Sequence, residues 1–353
     1  MPGTGTFAFT VHPRARLSED LARVWRPLGL VPEPVYDAAL RRLPLPPVRM
    51  AGVQIGGERV GHVVLVPFGA RHLLSDIPGG RRRVSRAVDR AAALGADVVG
   101  LGALTATVTA GGASLRGRSD IGVTNGNAFT AAIVEDQIRM LLPHVSARST
   151  RPHIAIVGAS GSVGTAVTKL LARDPGGARL TLIARTAPRL QALADSVAGD
   201  VQADVALSID AVRDADLVVL LTASADTLLG PDHLAPGAIV LDATQPRNTS
   251  PGLATARPDV LVVDGGIVSI PSLRLVGGDI GLPDGRSYAC FAETAILALT
   301  GHLGHFSIGN PTLEQIDAVR SRAAELADLG FRAADPTSFG APVALERHAA
   351  VIA

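Results

Sequence analysis

The stretch His153–Arg185, HIAIVGASGSVGTAVTKLLARDPGGARLTLIAR, leaves this chain little freedom in what it folds into. His153–Val157 is a short apolar run of strand type, and Gly158, Gly161 and Gly164 follow it at once. Val163, Val167, Leu170 and Leu171 then recur at helical spacing, and Leu180–Ala184 is a second apolar run that Arg185 ends. Strand, glycine turn, helix and strand in this order form the context of a dinucleotide site. Glycine lets backbone N–H groups approach a pyrophosphate, and the helix N-terminus carries partial positive charge. The reading assigns Gly158, Ser160, Gly161, Ser162, Val163 and Gly164 to the ligand. The plainer alternative is a glycine turn that only lets a helix pack close to a sheet.

The residue after the second strand separates the two nicotinamide cofactors. An acid there serves the ribose hydroxyls of NAD. This chain has Arg185 and then Thr186, with Arg189 one turn on. A guanidinium and a hydroxyl suit a 2′-phosphate that an acid would repel, so the expected cofactor is NADPH. Arg189 reads equally as a solvated helix position.

Further strands are expected near Val201–Leu207, Leu217–Thr222, Ala238–Ala243 and Leu261–Asp264, with helical pieces between them, as in a doubly wound sheet. Thr222, Ala223 and Ser224 end one of these strands, where ligands meet such sheets; the alternative is an ordinary turn. Gly265, Gly266 and Val268 follow another, where a nicotinamide ring can approach closely; the alternative is a simple turn.

Before the glycine turn the chain reads as an α/β unit. Phe7–Val11 is a strand, Leu17, Leu21, Val24, Trp25 and Leu28 share a helical face, and Tyr36–Leu43 is a short helix. Val48–Ile55 and Val60–Pro67 read as a hairpin about Gly56-Gly57. Arg81–Leu94 is a helix with a basic start, Asp97–Leu104 a buried strand, and Thr124–Asn127 leads into a helix through about Leu142. Arg148–Pro152 is the expected linker. Ser287–Leu303 and Leu313–Leu329 read as C-terminal helices, and the Pro-, Ala- and Gly-rich tail after Asp335 as poorly ordered. The fold class is therefore α/β: an N-terminal α/β substrate domain (1–148), a Rossmann-type doubly wound dinucleotide-binding domain (149–286), and C-terminal helices and tail (287–353).

Composition narrows the class further. At 353 residues and 47% hydrophobic content the chain supports two cores. A net charge of +1 gives no global pull toward nucleic acid or a membrane. No run of eighteen apolar residues and no signal-peptide pattern is present, so the expected location is cytoplasmic. One cysteine, Cys290, excludes an internal disulfide and a multi-cysteine metal site. His302 and His305 have a metal-compatible spacing but no evident third ligand, and no metal is expected.

The rare residues decide which chemistry accompanies hydride transfer. A Tyr-x-x-x-Lys pair is absent: the tyrosines are Tyr36 and Tyr288, Leu40 and Ala292 stand four residues after them, and the single lysine is Lys169. A first-domain lysine of the shikimate-dehydrogenase type is absent too. That leaves Cys290, in Ser287-Tyr-Ala-Cys-Phe-Ala-Glu-Thr294. In a first helical turn its pKa is expected to fall, and a thiolate can attack an acyl thioester and hold the acyl group. The plainer reading is a buried, small apolar residue.

Several segments together resemble the long-chain acyl-[acyl-carrier-protein] reductases of cyanobacteria, over about Val60–Phe331. The most specific is Tyr288-Ala-Cys-Phe-Ala-Glu293. Others are Gly265-Gly-Ile-Val268, Asp242 with Pro246 and Asn248, Ile183-Ala-Arg185, Gly158-Ala-x-Gly-x-x-Gly164, Ala103-Leu-Thr105, and Thr124-x-Gly-Asn127 with Thr130. The resemblance implies that Cys290 is the acylated nucleophile, NADPH the reductant, and a fatty aldehyde the product. The thioester partner is then an acyl-carrier protein or coenzyme A, and an aldehyde-consuming enzyme follows.

Asn127 and Thr130 are candidates to position the thioester carbonyl, against a helix N-cap with an ordinary helical threonine. Arg81–Arg83 with Arg86 suits an acidic carrier or a phosphate, against a solvated helix start. Glu293 suits either proton transfer or a backbone contact. Two rival functions stay open: an NADPH-dependent ketone or imine reductase in which Cys290 is structural, and a non-catalytic NADP(H) sensor.

Overall fold

The apolar runs of the first half pair into one sheet. Strands β1 (Phe7–Val11), β2 (Val48–Ile55), β3 (Glu58–Leu65), β4 (Val98–Leu101) and β5 (Gly122–Thr124) lie in the order β2–β3–β1–β4–β5. The strand Arg274–Val276 adds antiparallel to β2 at the edge. β2 and β3 form the hairpin expected at Gly56-Gly57, and the remaining neighbours are parallel. The structure is a computed structural model and describes residues 5–13, 18, 26–43, 45–145, 151–223 and 228–346. The expected helical positions Leu17, Leu21, Val24 and Trp25, most of the expected linker and Ser224 lie outside these residues.

The chain divides into two units. The first comprises Met1–Phe129, Val268–Gly309 and Asp317–Arg332, and the second Thr130–Ile267, Asn310–Ile316 and Ala333–Ala353. In the first unit the helix Ile77–Ala93 covers one sheet face, with Val84, Ala87, Val88 and Ala91 against Ala8, Val64, Val66 and Val99. The helix Ala289–Leu299 packs on the sheet through Phe291, which meets Phe7 and Phe9 edge-on at 5.4 and 5.2 Å. Gly100 on β4 permits this approach: a Cβ there would lie 2.0 Å from Thr294 Oγ1.

Glu293 joins that helix to the next. Its carboxylate is fully buried and accepts from the Thr124 hydroxyl and from the Phe129 N–H at 2.7 Å. It thereby caps the helix Asn127–Leu141, whose first N–H groups have no intrahelical partner. Burial pushes the Glu293 carboxyl up to about 7, although the N–H groups of Phe129, Ala128 and Gly126 and the Thr124 hydroxyl act to lower it.

The second unit carries a six-stranded sheet that is parallel throughout. Its strands are β6 (His153–Val157), β7 (Arg179–Ile183), β8 (Ala203–Ala206), β9 (Leu217–Leu220), β10 (Ile239–Asp242) and β11 (Leu261–Asp264). Their order is β8–β7–β6–β9–β10–β11, the doubly wound order of a Rossmann fold. Among the described residues no helix is long and apolar enough to cross a membrane.

Three local expectations need correction. The tail after Asp335 is ordered through Glu346: Thr337 is buried, and Thr337, Phe339 and Gly340 bond to the Asp264 carboxylate. The segment is held by one buried acid together with Phe339 packed on the core and Leu345 buried. The strand expected over Asp97–Leu104 stops at Leu101, and Leu104–Val108 is helical. The helix expected over Ser287–Leu303 is Ala289–Leu299, because Ser287 and Tyr288 belong to a strand and Gly301 has φ +66°.

Glu293 generates a stability prediction. Its folded pKa lies above the ordinary carboxylate value, so the native state holds the proton to higher pH than the unfolded chain. Stability from this group is full below about pH 4.5 and is lost as pH rises toward about 7. Between these limits each step of one in pH removes up to about 1.4 kcal/mol. Glu293→Gln keeps the acceptor but cannot ionise. Urea unfolding at pH 4.5 to 8 should show a shallower decline for this variant than for the parent; equal slopes would refute the assignment. Glu293→Ala strands buried donors, at about 1–3 kcal/mol each.

Candidate functional site

All the strands of the second sheet run the same way, so their carboxyl ends share one edge. The turn after β6 and the first turn of the helix that follows hold Gly158–Gly164, the loop after β7 holds Arg185 and Thr186, and the loop after β9 holds Thr222 and Ala223. β6 and β9 are neighbours at the point where strand order reverses, which is where ligands bind in such sheets. Gly158 has φ +90°, and a Cβ on it would lie 2.8 Å from the Leu221 carbonyl. Glycine thus lets the loops after β6 and β9 touch. A Cβ on Gly164 would lie 2.3 Å from the Gly158 carbonyl oxygen, so the helix Ser162–Arg173 also starts close against the turn.

This loop fits a pyrophosphate. Gly161 is the N-cap and has no side chain to satisfy the first-turn N–H groups, and it is exposed while Ser160, Ser162 and Val163 are half-buried. Arg185, Thr186 and Arg189 are all exposed, and no acid stands between Arg185 and Arg189. The Thr222 hydroxyl donates to Asn248 Oδ1 at 2.5 Å. Gly266 has φ +68°, and its N–H donates to Gln137 Oε1 at 2.8 Å. The Val268 side chain is fully buried.

Sequence reasoning does not assign the loop after β10 to the ligand, although it singles out Asp242, Pro246 and Asn248. The buried Asp242 carboxylate accepts from the N–H groups of Thr244, Asn248 and Thr249 and from both threonine hydroxyls. One acid therefore folds Ala243–Thr249 at the strand edge that carries Thr222 and Gly266. Asp264 ends β11 and does the same for Arg247 and the segment Thr337–Gly340. Burial acts to raise its pKa, but Arg247, the Gly340 N–H and Thr337 prevail and hold it low.

Cys290 lies in the first unit. Cys290 is partly buried, and every other residue of the helix Ala289–Leu299 is buried. Gly126, at φ +75°, is pressed against it: a Cβ on Gly126 would lie 2.2 Å from the Cys290 Cβ. The expected lowering of the Cys290 pKa is wrong for this structure. Burial pushes the thiol up to about 12, and the Glu293 carboxylate adds to the rise. The N–H groups of Phe291, Cys290 and Ala103 act the other way but do not prevail. The helix terminus is thus outweighed by desolvation and a carboxylate one turn away.

Ala103 has φ +48°, a strained conformation for a residue with a side chain. The next N–H, of Leu104, donates to His12 Nε2 at 3.3 Å. Sequence marks Ala103 only within a matching segment, and no local signal discloses its backbone. Asn127 and Thr130 are half-buried and sit one turn apart at the start of their helix. Asn125 secures that turn: its Oδ1 accepts from the Asn127 N–H and from the Ser307 hydroxyl, and its Nδ2 donates to the carbonyls of Gly111 and Gly309. His305 accepts from the Val123 N–H and lies 3.0 Å from the Arg116 carbonyl, and His302 is 3.3 Å from the His305 carbonyl.

No protein-family model matches the chain. It is 28% identical over 261 residues to the aminotransferase PigE of Serratia sp., an alignment that covers 72% of this chain and 30% of that protein. It is 27% identical over 253 residues to the long-chain acyl-[acyl-carrier-protein] reductase of Synechococcus elongatus, covering 67% of this chain and 72% of that one. Among solved structures, the yhdH oxidoreductase of Salmonella enterica in complex with NADP is 14% identical, with a TM-score of 0.31 and 59% of each chain covered. The Thermococcus litoralis Δ1-pyrroline-2-carboxylate reductase in complex with NADH and L-proline is 12% identical, with a TM-score of 0.28, covering 35% of this chain and 38% of that one.

Proposed function

We propose that this chain is an NADPH-dependent reductase of acyl thioesters that forms an aldehyde through an acyl group held on Cys290. The observation that carries the reading is the placement of the one cysteine: Cys290 stands at the first turn of the helix, only partly buried where every other residue of Ala289–Leu299 is buried, with Gly126 held against it. The match to the Synechococcus elongatus reductase supports the substrate class. The aligned region makes up 30% of a protein named an aminotransferase, and aminotransferases take carbonyl compounds as amino acceptors. That supports an aldehyde product passed to a second enzyme.

In this reading the Cys290 sulfur attacks the thioester carbonyl, and the carrier thiol leaves with the proton that Cys290 gives up. The N–H of Ala103 and the first-turn N–H groups are the nearby donors to the sulfur and to the developing charge. Asn127 and Thr130 orient the carbonyl. Gly158–Gly164 hold the pyrophosphate, Arg185 and Thr186 the 2′-phosphate, and Thr222, Ala223 and Gly266 line the nicotinamide side. NADPH, when bound, would supply the hydride that releases the acyl group as an aldehyde, and a proton from solvent would restore the Cys290 thiol. Burial and the Glu293 carboxylate hold the Cys290 thiol in its protonated form at rest.

The same raised pKa favours a second reading, a ketone or imine reductase in which Cys290 is a packing group. Intact mass after incubation with a long-chain acyl thioester, without NADPH, separates the two. An acyl-sized gain is expected in the parent and not in Cys290→Ala. The gain should appear about tenfold faster per pH unit from pH 7 to 10, as the thiolate fraction grows. No adduct, together with ketone-driven NADPH oxidation that survives Cys290→Ala, would establish the second reading instead.

Coenzyme choice is tested separately. Arg185→Ala should weaken NADPH binding about tenfold, the scale of one lost charge-assisted hydrogen bond, and change NADH binding by less than about twofold. Equal loss for both coenzymes, read by fluorescence titration, would remove Arg185 from the 2′-phosphate.

A further inference from the structure

The hairpin of the first sheet has two register shifts, between Arg49 and Ala51 and between Val53 and Gln54. Without them the strict alternation of a strand would send Arg59 and His62 to opposite faces. The pairings Arg49↔Val64, Gly52↔His62 and Gln54↔Arg59 instead put Arg49, His62 and Arg59 on one face. That is the face covered by the helix Ile77–Ala93, since Val64 lies in one buried cluster with Val84 and Val88 of that helix. The helix brings Arg82, Arg86 and Arg90, all exposed and four residues apart, along one of its own faces. Arg49 and Arg59 are exposed too.

Among the described residues these five guanidiniums have no acidic partner. The acid within the group, Asp89, is held by Arg118, which also binds Asp120 at 2.6 Å. Burial lowers the pKa of His62, and Arg49, Arg59 and Arg90 lower it further, so their charges converge on one spot. A groove of about 560 Å³ is lined by Pro46, Pro47, Val48 and Arg49 from the hairpin side and by Arg86, Asp89 and Arg90 from the helix. A chain of net charge +1 thus concentrates unpaired positive charge beside an exposed apolar strip.

We propose that this groove docks an acidic helix of a partner protein, and, resting on the function proposed above, that the partner is the carrier that presents the acyl thioester. Arg82 to Arg90 span about 12 Å along the helix, which matches carboxylates one turn apart on a second helix rather than one compact phosphate group. Pro46, Pro47 and Val48 give the partner helix an apolar contact that a nucleic-acid backbone does not use. Exposed charges of this kind set encounter rate and specificity, and they are screened by salt.

The test is binding of holo-acyl-carrier protein, measured by fluorescence anisotropy on the full chain. The triple variant Arg82→Glu, Arg86→Glu, Arg90→Glu and the matching triple alanine variant are compared with Arg213→Glu, an exposed charge control on the second unit. The expected result is a Kd raised at least tenfold by the glutamates and less by the alanines, an unchanged control, and a salt dependence that flattens in the triple variants. Thermal melting checks that the variants fold. A Kd within twofold of the parent overturns the proposal. So does a parent that binds duplex DNA or free coenzyme A with the same arginine dependence and does not bind the carrier. Acylation of Cys290 by acyl-coenzyme A is read in the same preparations, so failure of the docking surface is distinct from failure of the thioester chemistry.

Discussion

A carboxylate with no access to water governs how Cys290 is presented. Glu293 sits one turn beyond the cysteine and accepts from Thr124 and from the first N–H groups of the helix Asn127–Leu141. This side chain ties the helix that carries Cys290 to the N-terminus of the helix Asn127–Leu141, and Gly126 lies against Cys290 with room for no Cβ. Burying an acid is costly unless several hydrogen bonds compensate, and here backbone donors supply them. Asp242 and Asp264 repeat the device in the second unit. Each ends a strand, and each gathers the N–H groups of a loop on the edge where a ligand would bind. The loops that carry the proposed chemistry are therefore held by buried acids rather than by apolar packing.

That arrangement has a chemical consequence. The acid that positions the cysteine also raises its pKa, so presentation and thiolate formation oppose each other. In a thiol–thioester exchange the conflict is tolerable, because the proton leaving Cys290 ends on the departing thiol and no free thiolate need accumulate. An enzyme that relied on a standing thiolate would place a cation beside the sulfur. The nearest groups here are N–H donors and a carboxylate.

The second unit is legible in the sequence because its signals are local. The run His153–Val157, the three glycines and the helix after them are all determined within about thirty residues, and the strand order then follows from packing a parallel sheet. The first unit is less legible because its contacts are long-range. Nothing near Arg274–Val276 says that it will pair with β2, and nothing near Thr337 says that it will bond to Asp264. Cys290 stands out by its rarity and by its neighbours Phe291 and Glu293. A helix-terminus argument misreads its pKa because it sees neither burial nor the carboxylate. Ala103 and Asn125 escape for a related reason: backbone strain and a hub of loop hydrogen bonds leave no periodic trace.

The charge balance ties the two units' logic to the surface. Thirty-three basic and thirty-two acidic residues nearly cancel, yet the two signs are not placed alike. Asp216, Asp242, Asp264 and Glu293 are buried, and backbone N–H groups are prominent among their partners. Of these four, Asp264 engages an arginine. Acids consumed inside the fold leave arginines outside without a counterpart. The helix Ile77–Ala93, apolar on the side that meets β3 and basic on the side that meets water, is where several of them collect. A near-zero total is thus compatible with a strongly basic face, and the interior demand for acids is what produces it.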